Sequence, residues 1–218
     1  KQNTMNHVWF QCPDREIVLV RNAYAEDSFR PWGHSFDVVI DCTTFNDSVC
    51  VAEGLSYVMT NFVHSAEDNH RADANRRISV LSDSGGLQMA RGMTNLIHPV
   101  ELADFYEKNV DAGMCLDLPM RAPNMGVVKR AARLQRHNNE LMLKTMKRSE
   151  LINIFHGSSM EERSVFRSIV EMDDIQRAAI GGLSRQLPLT GVNTVMSLTN
   201  TGRRYKHYHI LGVFQTEY

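Results

Sequence analysis

The sequence has few cysteines, and they form no recognisable metal or disulfide pattern. Its 218 residues include four cysteines, Cys12, Cys42, Cys50 and Cys115, with no CxxC pair and no clustering with histidine. We therefore expect neither a disulfide framework nor a cysteine zinc site. Scattered free thiols are typical of a reducing compartment, which predicts a cytoplasmic protein.

The sequence also lacks long apolar runs, a large net charge and nucleotide-binding glycine motifs. No apolar run approaches the length of a membrane span and no signal-peptide pattern opens the chain, so we expect no membrane partner. The net charge is −1, so any binding to nucleic acid requires a local basic patch. Neither a GxGxxG nor a Walker motif occurs, which disfavours a nucleotide-binding sheet.

The chain instead alternates strand-like and helix-like segments. Short apolar runs predict strands, and apolar residues three and four positions apart predict helices. The predicted strands are Glu16–Arg21, Phe36–Cys42, Ile78–Ser82, Ala112–Asp117, Leu151–His156, Ala178–Ile180 and His207–Val213. The predicted helices are Val49–Phe62, Pro99–Val110, Val127–Arg148, Met160–Glu171 and one of uncertain limits before His207, and the polar stretch His64–Arg77 is predicted to be a loop.

This alternation predicts parallel βα units in a single α/β domain over residues 1–218. An open doubly wound sheet and a TIM (β/α)8-type barrel both fit. Polar or glycine residues stand at four successive strand ends: Asp83, Asp117, His156 and Gly181-Gly182. Because barrel strands converge on one mouth, to which several strands contribute catalytic residues, we favour the barrel, in a partial or divergent form.

The stretch Ile78–Gln88 (ISVLSDSGGLQ) carries the most information. Its first half has the composition of a strand buried on both faces, and it ends at Asp83 before two glycines. Glycine lets backbone N–H groups approach a flat ligand closely. A carboxylate followed by such a turn is a common way to present a catalytic group, and a plain βα turn with Ser84 as the N-cap is the alternative.

The motif Asp83–Gln88 resembles the D-S-G-G-[FY]-Q signature of the tRNA-guanine transglycosylase superfamily, a TIM-barrel family. Further resemblances follow in the family's order at Ile97–Glu101, Val110–Asp117, Phe155–Ser158, Ile180–Ser184 and His209–Val213. The resemblance implies an enzyme that exchanges a guanine in nucleic acid for a 7-deazaguanine such as queuine or its precursors. Members that act on tRNA and members that act on DNA (the DpdA type) share this core.

The resemblance also implies roles for individual residues. Asp83 would be the catalytic acid/base, and Asp117 would accept hydrogen bonds from the amino and ring N–H groups of the base. Backbone amides around Ser84 and Gly181-Gly182 would meet the base carbonyl, and Leu87 replaces an aromatic residue of the family. The implied substrate-binding residues are Ser84, Gly85, Gly86, Gln88, Asp117, His156, Gly157, Gly181, Gly182 and Leu183.

The implied chemistry suits these residue types. Paired carboxylates are the usual means of breaking a glycosidic bond through an oxocarbenium-like state. One carboxylate attacks C1′ to form a covalent intermediate, and the other handles protons on the leaving and incoming bases. The guanine must leave its base stack to reach such a pocket.

The chain also departs from the family's pattern. The family's aspartate nucleophile and its zinc site fall in segments that would follow Tyr218, so no cofactor is expected in this chain. His156 replaces a glutamine and Ser158 a glycine. Three alternatives follow: a partial chain, a divergent enzyme that uses another nucleophile such as Asp41 or Asp37, or a non-catalytic partner subunit or structural protein. An unrelated barrel enzyme with a metal or phosphate ligand is a further option.

Local positive charge is concentrated in the predicted helix 127–148. Its residues Lys129, Arg130, Arg133 and Arg136 are candidate contacts for the phosphates of DNA or tRNA, although such runs are usually solvated helix faces. A second group of candidates is Arg203, Arg204 and Lys206. A protein partner or a homodimer is a further expectation.

Two histidines alternate near the end of the chain. His207 and His209 are two residues apart on a predicted strand, so they share one face. No third metal ligand is evident beside them, which favours a core role over a metal site.

Overall fold

In this computed structural model, the described residues are 7–12, 35–41, 57–61, 79–117, 124–183, 188–200, 203 and 205–211. They form eight strands: β1 His7–Cys12, β2 Ser35–Asp41, β3 Tyr57–Asn61, β4 Ser79–Asp83, β5 Ala112–Met114, β6 Glu150–Phe155, β7 Arg177–Ile180 and β8 His207–Ile210. They also form five helices: α1 Gly86–Ala90, α2 Pro99–Asn109, α3 Met125–Thr145, α4 Met160–Val170 and α5 Pro188–Asn200.

Neighbouring strands pair in parallel and in chain order. From β4 to β8 the chain alternates strands and helices, and these five strands form a parallel half-barrel sheet. The strands β1, β2 and β3 continue the parallel pairing up to β4, and β1 also pairs with β8. The α/β class and the parallel βα units predicted from the sequence are therefore confirmed.

The strands of the half-barrel are apolar because both of their faces are covered. In β6, every residue from Leu151 to Phe155 is buried. One apolar cluster joins β4, β5 and β6 to α2 and the end of α3, and a second joins β6, β7 and β8 to α4 and the start of α3. Continuous apolar runs rather than alternating ones are expected for parallel strands packed on two sides.

Side chains at the helix starts fix three of the helices. His98 accepts the Val100 N–H at 3.3 Å and Pro99 follows it at the first helical position, as the sequence predicted. Asn124 caps α3, and Ser159 forms a capping box with Glu162 at the start of α4. Of the three, α4 begins closest to the strand that precedes it, since only residues 156–159 separate Met160 from the end of β6 at Phe155.

Helix α3 ends earlier than the sequence predicted. It stops at Thr145, because the carboxylate of Glu107 on α2 accepts the backbone N–H groups of Lys147, Arg148 and Ser149 at 2.9 to 3.1 Å. The hydroxyl of Ser149 also donates to the carbonyls of Tyr106 and Val110. The carboxylate of a residue on another helix thus accepts the N–H groups that a further helical turn would have used, and the chain continues into β6.

Two strand assignments differ from the prediction. The helix predicted over Val49–Phe62 is wrong at residues 57–61, which form β3 between β2 and β4. Pairing on both sides overrides the helical spacing of the apolar residues. The strand β1 was missed, and the predicted strand Glu16–Arg21 and loop His64–Arg77 lie outside the described residues.

The longest described helix, α3, has 21 residues and carries charged side chains along its length. No helix in the described ranges is both long and apolar enough to cross a membrane.

A buried amide network joins β6 to α3 and α4. Asn153 on β6 is fully buried, and its Oδ1 accepts from Gln135 Nε2 at 2.9 Å and from Asn139 Nδ2 at 3.0 Å. Its Nδ2 donates to the carbonyl of Val170 at 2.7 Å, at the end of α4. Since buried polar groups are costly when unpaired, this network specifies one arrangement of the three elements.

We expect Asn153→Leu to lower the free energy of unfolding by roughly 2–4 kcal/mol, because the Asn139 amide and the Val170 carbonyl would lose a partner in the interior. Urea denaturation checks this. His137→Ala is the control, since His137 is exposed on α3, the helix that carries Asn139. A loss for Asn153→Leu no larger than for His137→Ala would contradict the structural role of the network.

Candidate functional site

Four consecutive strands of the half-barrel end in the residues that the sequence singled out. Asp83 is the last residue of β4, Asp117 follows β5, His156 follows β6 and Gly181 follows β7. Because these strands are parallel neighbours, their carboxyl ends lie along one edge of the sheet. The predicted convergence of these residues at one edge is therefore present in the structure.

Asp117 is held by contacts from the strands on both sides. Its Oδ2 lies 2.8 Å from His156 Nε2, and its Oδ1 accepts a longer bond of 3.4 Å from the Ser84 hydroxyl. The side chains of Asp117 and His156 are only 14% and 13% exposed. A carboxylate fixed in this way has little freedom to rotate and retains lone pairs on both oxygens for a ligand.

Asp83 lies beside Asp117 at the neighbouring strand end. Its Oδ1 accepts the backbone N–H of Ser84 at 2.8 Å, and the residue is half-buried. The hydroxyl of Ser84, which is fully buried, also accepts the Gly86 N–H at 3.2 Å. Ser84 therefore connects the two carboxylates, one through its backbone and the other through its side chain.

A buried tyrosine and a buried cysteine lie below the two carboxylates. Burial, and then the charge of Asp83, raises the pKa of Tyr106 well above its ordinary value. Burial, and then the charge of Asp117, likewise raises the pKa of the Cys115 thiol. Both groups are neutral at physiological pH, and both respond to Asp83 and to Asp117. We refer to these two side chains, which are buried near both carboxylates, as the neutral floor of the site.

Two glycines allow the close contacts of the site. A Cβ on Gly86 would lie 2.0 Å from the backbone oxygen of Asp117, so the turn after β4 approaches the end of β5 too closely for a side chain. A Cβ on Gly181 would lie 2.8 Å from Cε1 and 2.9 Å from Nδ1 of His156. Gly85 has a φ of 75°, which favours glycine at that position as well.

The backbone amides expected to meet the base carbonyl are largely used within the protein. The Ser84 N–H donates to Asp83, and the Gly181 N–H donates to the Phe155 carbonyl at 3.0 Å. Both amides therefore make hydrogen bonds within the protein, and their role at a base carbonyl stays a prediction. Gly182 is exposed and is the better placed of the two glycines.

The other predicted contact residues divide into exposed and buried ones. On α1, Gln88 is half-buried with its Oε1 unpaired, and Leu87 is 42% exposed beside it. Leu183 is 2% exposed and belongs to the second apolar cluster, so it fits a packing role better than contact with a base. Gly157 follows His156 and packs against Arg163.

Three of the four predicted phosphate contacts have exposed side chains. The exposed residues are Lys129, Arg130 and Arg133, which lie in the first half of α3, the helix that comes after Asp117 in the chain. Arg136 instead donates to the carbonyls of Ile169 and Glu171, which ties α3 to the end of α4.

The second group of basic candidates is less well placed. Arg203 donates to the Met172 and Asp173 carbonyls, so its guanidinium is engaged within the protein. Lys206 is exposed but precedes β8, so it lies at the opposite edge of the sheet from Asp83. Arg204 lies outside the described residues.

The two aspartates proposed as substitute nucleophiles both lie on β2. Asp41 ends this strand and is aligned with Met59, whereas Asp37 is near its start and aligned with Trp9. Asp41 is therefore at the same edge of the sheet as Asp83, and Asp37 is not.

His209 on β8 is fully buried, and burial lowers its pKa to about 3. No group of three or more residues suited to hold a metal occurs in the part of the chain that the structure describes. Burial therefore keeps the imidazole of His209 neutral in the interior.

The sequence analysis missed the structural role of Tyr106 and the contact of the Ser84 hydroxyl with Asp117. Tyr106 was recognised only as an apolar position of a helix. Its phenol donates to the Met114 carbonyl at 2.9 Å, and its ring fills the space above Gly113, where a Cβ would lie 2.1 Å from it. The glycine within β5 was the only available signal for an aromatic ring at that point.

No protein-family model matches the chain, and no curated protein does either. Function is therefore inferred from the residues at the edge of the sheet and from their geometry.

We expect Gly86→Ala to disrupt the site, because the new methyl group would collide with the Asp117 backbone. The variant should lose roughly 2 kcal/mol or more of unfolding free energy, a typical cost of forcing extra atoms into a packed site. Thermal denaturation measures this. Gly126→Ala, within α3, is the control and should cost less, because its Cβ would meet a side-chain atom of Asn124 at 3.1 Å and not a backbone atom at 2.0 Å. Equal losses in both variants would argue against the close approach.

His209 makes folding stability depend on pH. In the unfolded chain its pKa returns to about 6.5, whereas in the folded chain it is about 3. Below about pH 6.5 the unfolded state therefore binds a proton that the folded state does not take up until about pH 3. The free energy of unfolding consequently decreases as the pH falls from about 6.5 towards 3.

Denaturation of the wild type and of His209→Gln between pH 7 and pH 3 tests this effect. Because all other titrating groups are common to both proteins, the difference between their pH profiles is due to His209. The wild type should lose a few kcal/mol more than the variant over this range, on the order expected for a shift of several pKa units. Parallel pH profiles would show that His209 is accessible to protons in the folded state.

Proposed function

We propose that the protein is a base-exchange transglycosylase that replaces guanine in DNA or tRNA with a 7-deazaguanine. The observation that carries the proposal is the pair of carboxylates, Asp83 and Asp117, at neighbouring strand ends above one neutral floor. The D-S-G-G-x-Q motif around Asp83 supports the same assignment by resemblance to the guanine transglycosylases.

Asp117 would recognise the base. Guanine and 7-deazaguanines present two adjacent donors, the ring N1–H and the exocyclic amino group, and a carboxylate can accept both at once. His156 and Ser84 hold the carboxylate from either side at 2.8 and 3.4 Å, which fixes its plane before the base arrives. His156 would therefore orient Asp117 instead of binding the base carbonyl as the family's glutamine does.

Asp83 would move the proton that base exchange requires. When the C1′–N bond of the target guanosine breaks, the departing base takes up a proton at that nitrogen, and the incoming base gives one up when the bond reforms. Asp83 lies at the mouth next to Asp117 and is half-buried, so it can reach a base that Asp117 holds.

A second carboxylate would attack C1′ and form an ester that the incoming base later displaces. In the family this group follows the region that the chain resembles. Asp41 is the alternative within this chain because it ends β2 at the same edge as Asp83.

The fold required by this proposal is a complete (β/α)8 barrel formed by residues 1–218 as one domain. The parallel pairing of β8 with β1, in register from His7 opposite His207 to Phe10 opposite Ile210, supports it. The five strands from β4 to β8 would then provide somewhat more than half of the mouth.

The nucleic acid would approach across the start of α3. Lys129, Arg130 and Arg133 are exposed there, close in sequence to the edge that carries Asp117, and they could contact successive phosphates. The local basic surface would supply the affinity that a chain with a net charge of −1 lacks as a whole. No cofactor is needed for this chemistry in the chain.

A non-catalytic partner subunit on the same barrel is the second candidate. It is favoured by the engagement of the Ser84 and Gly181 amides within the protein, which leaves fewer donors for a base carbonyl than the family's mechanism uses. Such a subunit would bind 7-deazaguanine bases without incorporating them.

The two candidates are distinguished by incorporation of labelled guanine or 7-deazaguanine into double-stranded DNA and into tRNA. The wild type should incorporate the base into one polymer. Asp83→Asn should bind the free base but exchange it at least about 100-fold more slowly, the usual contribution of a general acid/base. Asp117→Asn should lose base binding, because an amide cannot accept from both donors.

Asp104→Asn is the matched control, since it removes an exposed carboxylate on α2. It should leave both binding and exchange unchanged. Base binding by the wild type without exchange into either polymer would favour the non-catalytic subunit, and the absence of both would reject the proposal.

A further inference from the structure

An exposed group of apolar side chains lies immediately beyond the turn that follows Asp83. Leu87, Met93 and Leu96 are 42%, 66% and 84% exposed, respectively, and we refer to them as the apolar ridge. Large apolar side chains that are exposed close together mark interaction sites more often than isolated ones do. Leu87 lies on α1, the helix that begins directly after the Asp83 turn, and Met93 and Leu96 follow this helix in the chain.

The ridge is held in place by hydrogen bonds at both ends. Where α1 ends, the Met93 N–H donates to the Gln88 carbonyl at 2.9 Å and the Gly92 N–H donates to the Met89 carbonyl at 3.0 Å, with a Gly92 φ of 70°. This is a Schellman ending. Beyond the ridge, the buried Ile97 donates its N–H to the Met89 sulfur at 3.1 Å.

The exposure of Met93 is unusual for such an ending. The residue at its position commonly packs against the one at the position of Gln88, and this contact covers both when they are apolar. Gln88 is polar and half-buried here, so Met93 remains in solvent at a position that the backbone fixes. Because the backbone is already fixed, binding at this point has to order only the side chain.

The segment that carries the ridge has no acidic side chain, and the first one after it is Glu101, in the first turn of α2. Residues 84–100 contain no aspartate or glutamate, and their titratable side chains, Arg91 and His98, are both exposed. The exposed basic side chains Lys129, Arg130 and Arg133 belong to the helix that follows the next strand end. A phosphate backbone could therefore approach the ridge without meeting a carboxylate from this segment.

We propose that the apolar ridge inserts into the base stack of a DNA duplex and fills the gap left by the guanine that turns into the Asp83–Asp117 site. This inference rests on the proposed function, which requires the guanine to leave its stack. Apolar side chains of similar size act as wedges between base steps in proteins that deform DNA. The wedge narrows the proposed substrate to a guanine in a stacked duplex, since a guanine in an open loop has less need of such a wedge.

The test uses the full chain and the double variant Met93→Ser, Leu96→Ser. Duplexes carry 2-aminopurine next to guanine in varied sequence contexts, and its fluorescence rises when it loses its stacking neighbour. Wild type should raise the fluorescence, and the double variant should bind with similar affinity without raising it. Leu134→Ser, which removes an apolar side chain that is 45% exposed on α3, is the matched control and should behave as wild type.

Exchange into the same duplexes provides a second measurement. The double variant should exchange guanine in matched duplexes roughly tenfold more slowly, and much of this loss should disappear when the guanine is mismatched and easier to extrude. Equal rates for wild type and variant, or an equal loss on matched and mismatched duplexes, would overturn the proposed wedge.

The remaining outcomes separate this inference from the proposed function. Ridge-dependent fluorescence without any exchange would reject the transglycosylase and retain the wedge. Exchange that occurs only in tRNA and does not depend on the ridge would reject the wedge and retain the enzyme. If the double variant changed the sedimentation of the protein from dimer to monomer, the ridge would be an interface between copies and the wedge would be rejected.

Discussion

The side-chain amide of Asn153 is the interaction on which the rest of the site depends. In the interior of the half-barrel it links β6 to α3 through Gln135 and Asn139, and to α4 through the carbonyl of Val170. Three residues further along the chain stands His156, whose ring contacts Asp117. An apolar residue in place of Asn153 could pack against the same helices in several ways, whereas a directional hydrogen-bond network permits one. The polar network therefore fixes the position of β6 relative to α3 and α4, and with it the position of His156 at the edge of the sheet.

The site itself is assembled from supports with different physical functions. His156 and Ser84 restrain Asp117 by hydrogen bonds, and Tyr106 and Cys115 provide a floor that excludes water without adding charge. Glycine is needed where backbones or rings approach closely, because any Cβ would overlap the neighbouring atoms. Asp117 is restrained through both oxygens by side chains, and Asp83 accepts the backbone amide of its own turn.

Much of the half-barrel could be predicted from local sequence, because its strands are continuous apolar runs and its helices begin at recognisable caps. Pro99 after His98 is one such start. The segment 57–61 could not be predicted as a strand, since its pairing partners are distant in sequence and its apolar spacing also fits a helix. The end of α3 was missed for a similar reason, because Glu107 lies on another helix. For the site, strand-end positions were visible in the sequence, but the hydrogen bonds that engage the Gly181 amide and orient Asp117 depend on the folded backbone.

Asp117 and its two contacts follow three adjacent strands, with Ser84 after β4, Asp117 after β5 and His156 after β6. A ligand that binds this carboxylate can therefore bind only the chain in which all three strands are correctly paired. Its binding free energy adds to the stability of that pairing by mass action. If the proposed function holds, a planar base would also stabilise the fold, and it would shift the population of the protein towards the assembled sheet as its occupancy rises.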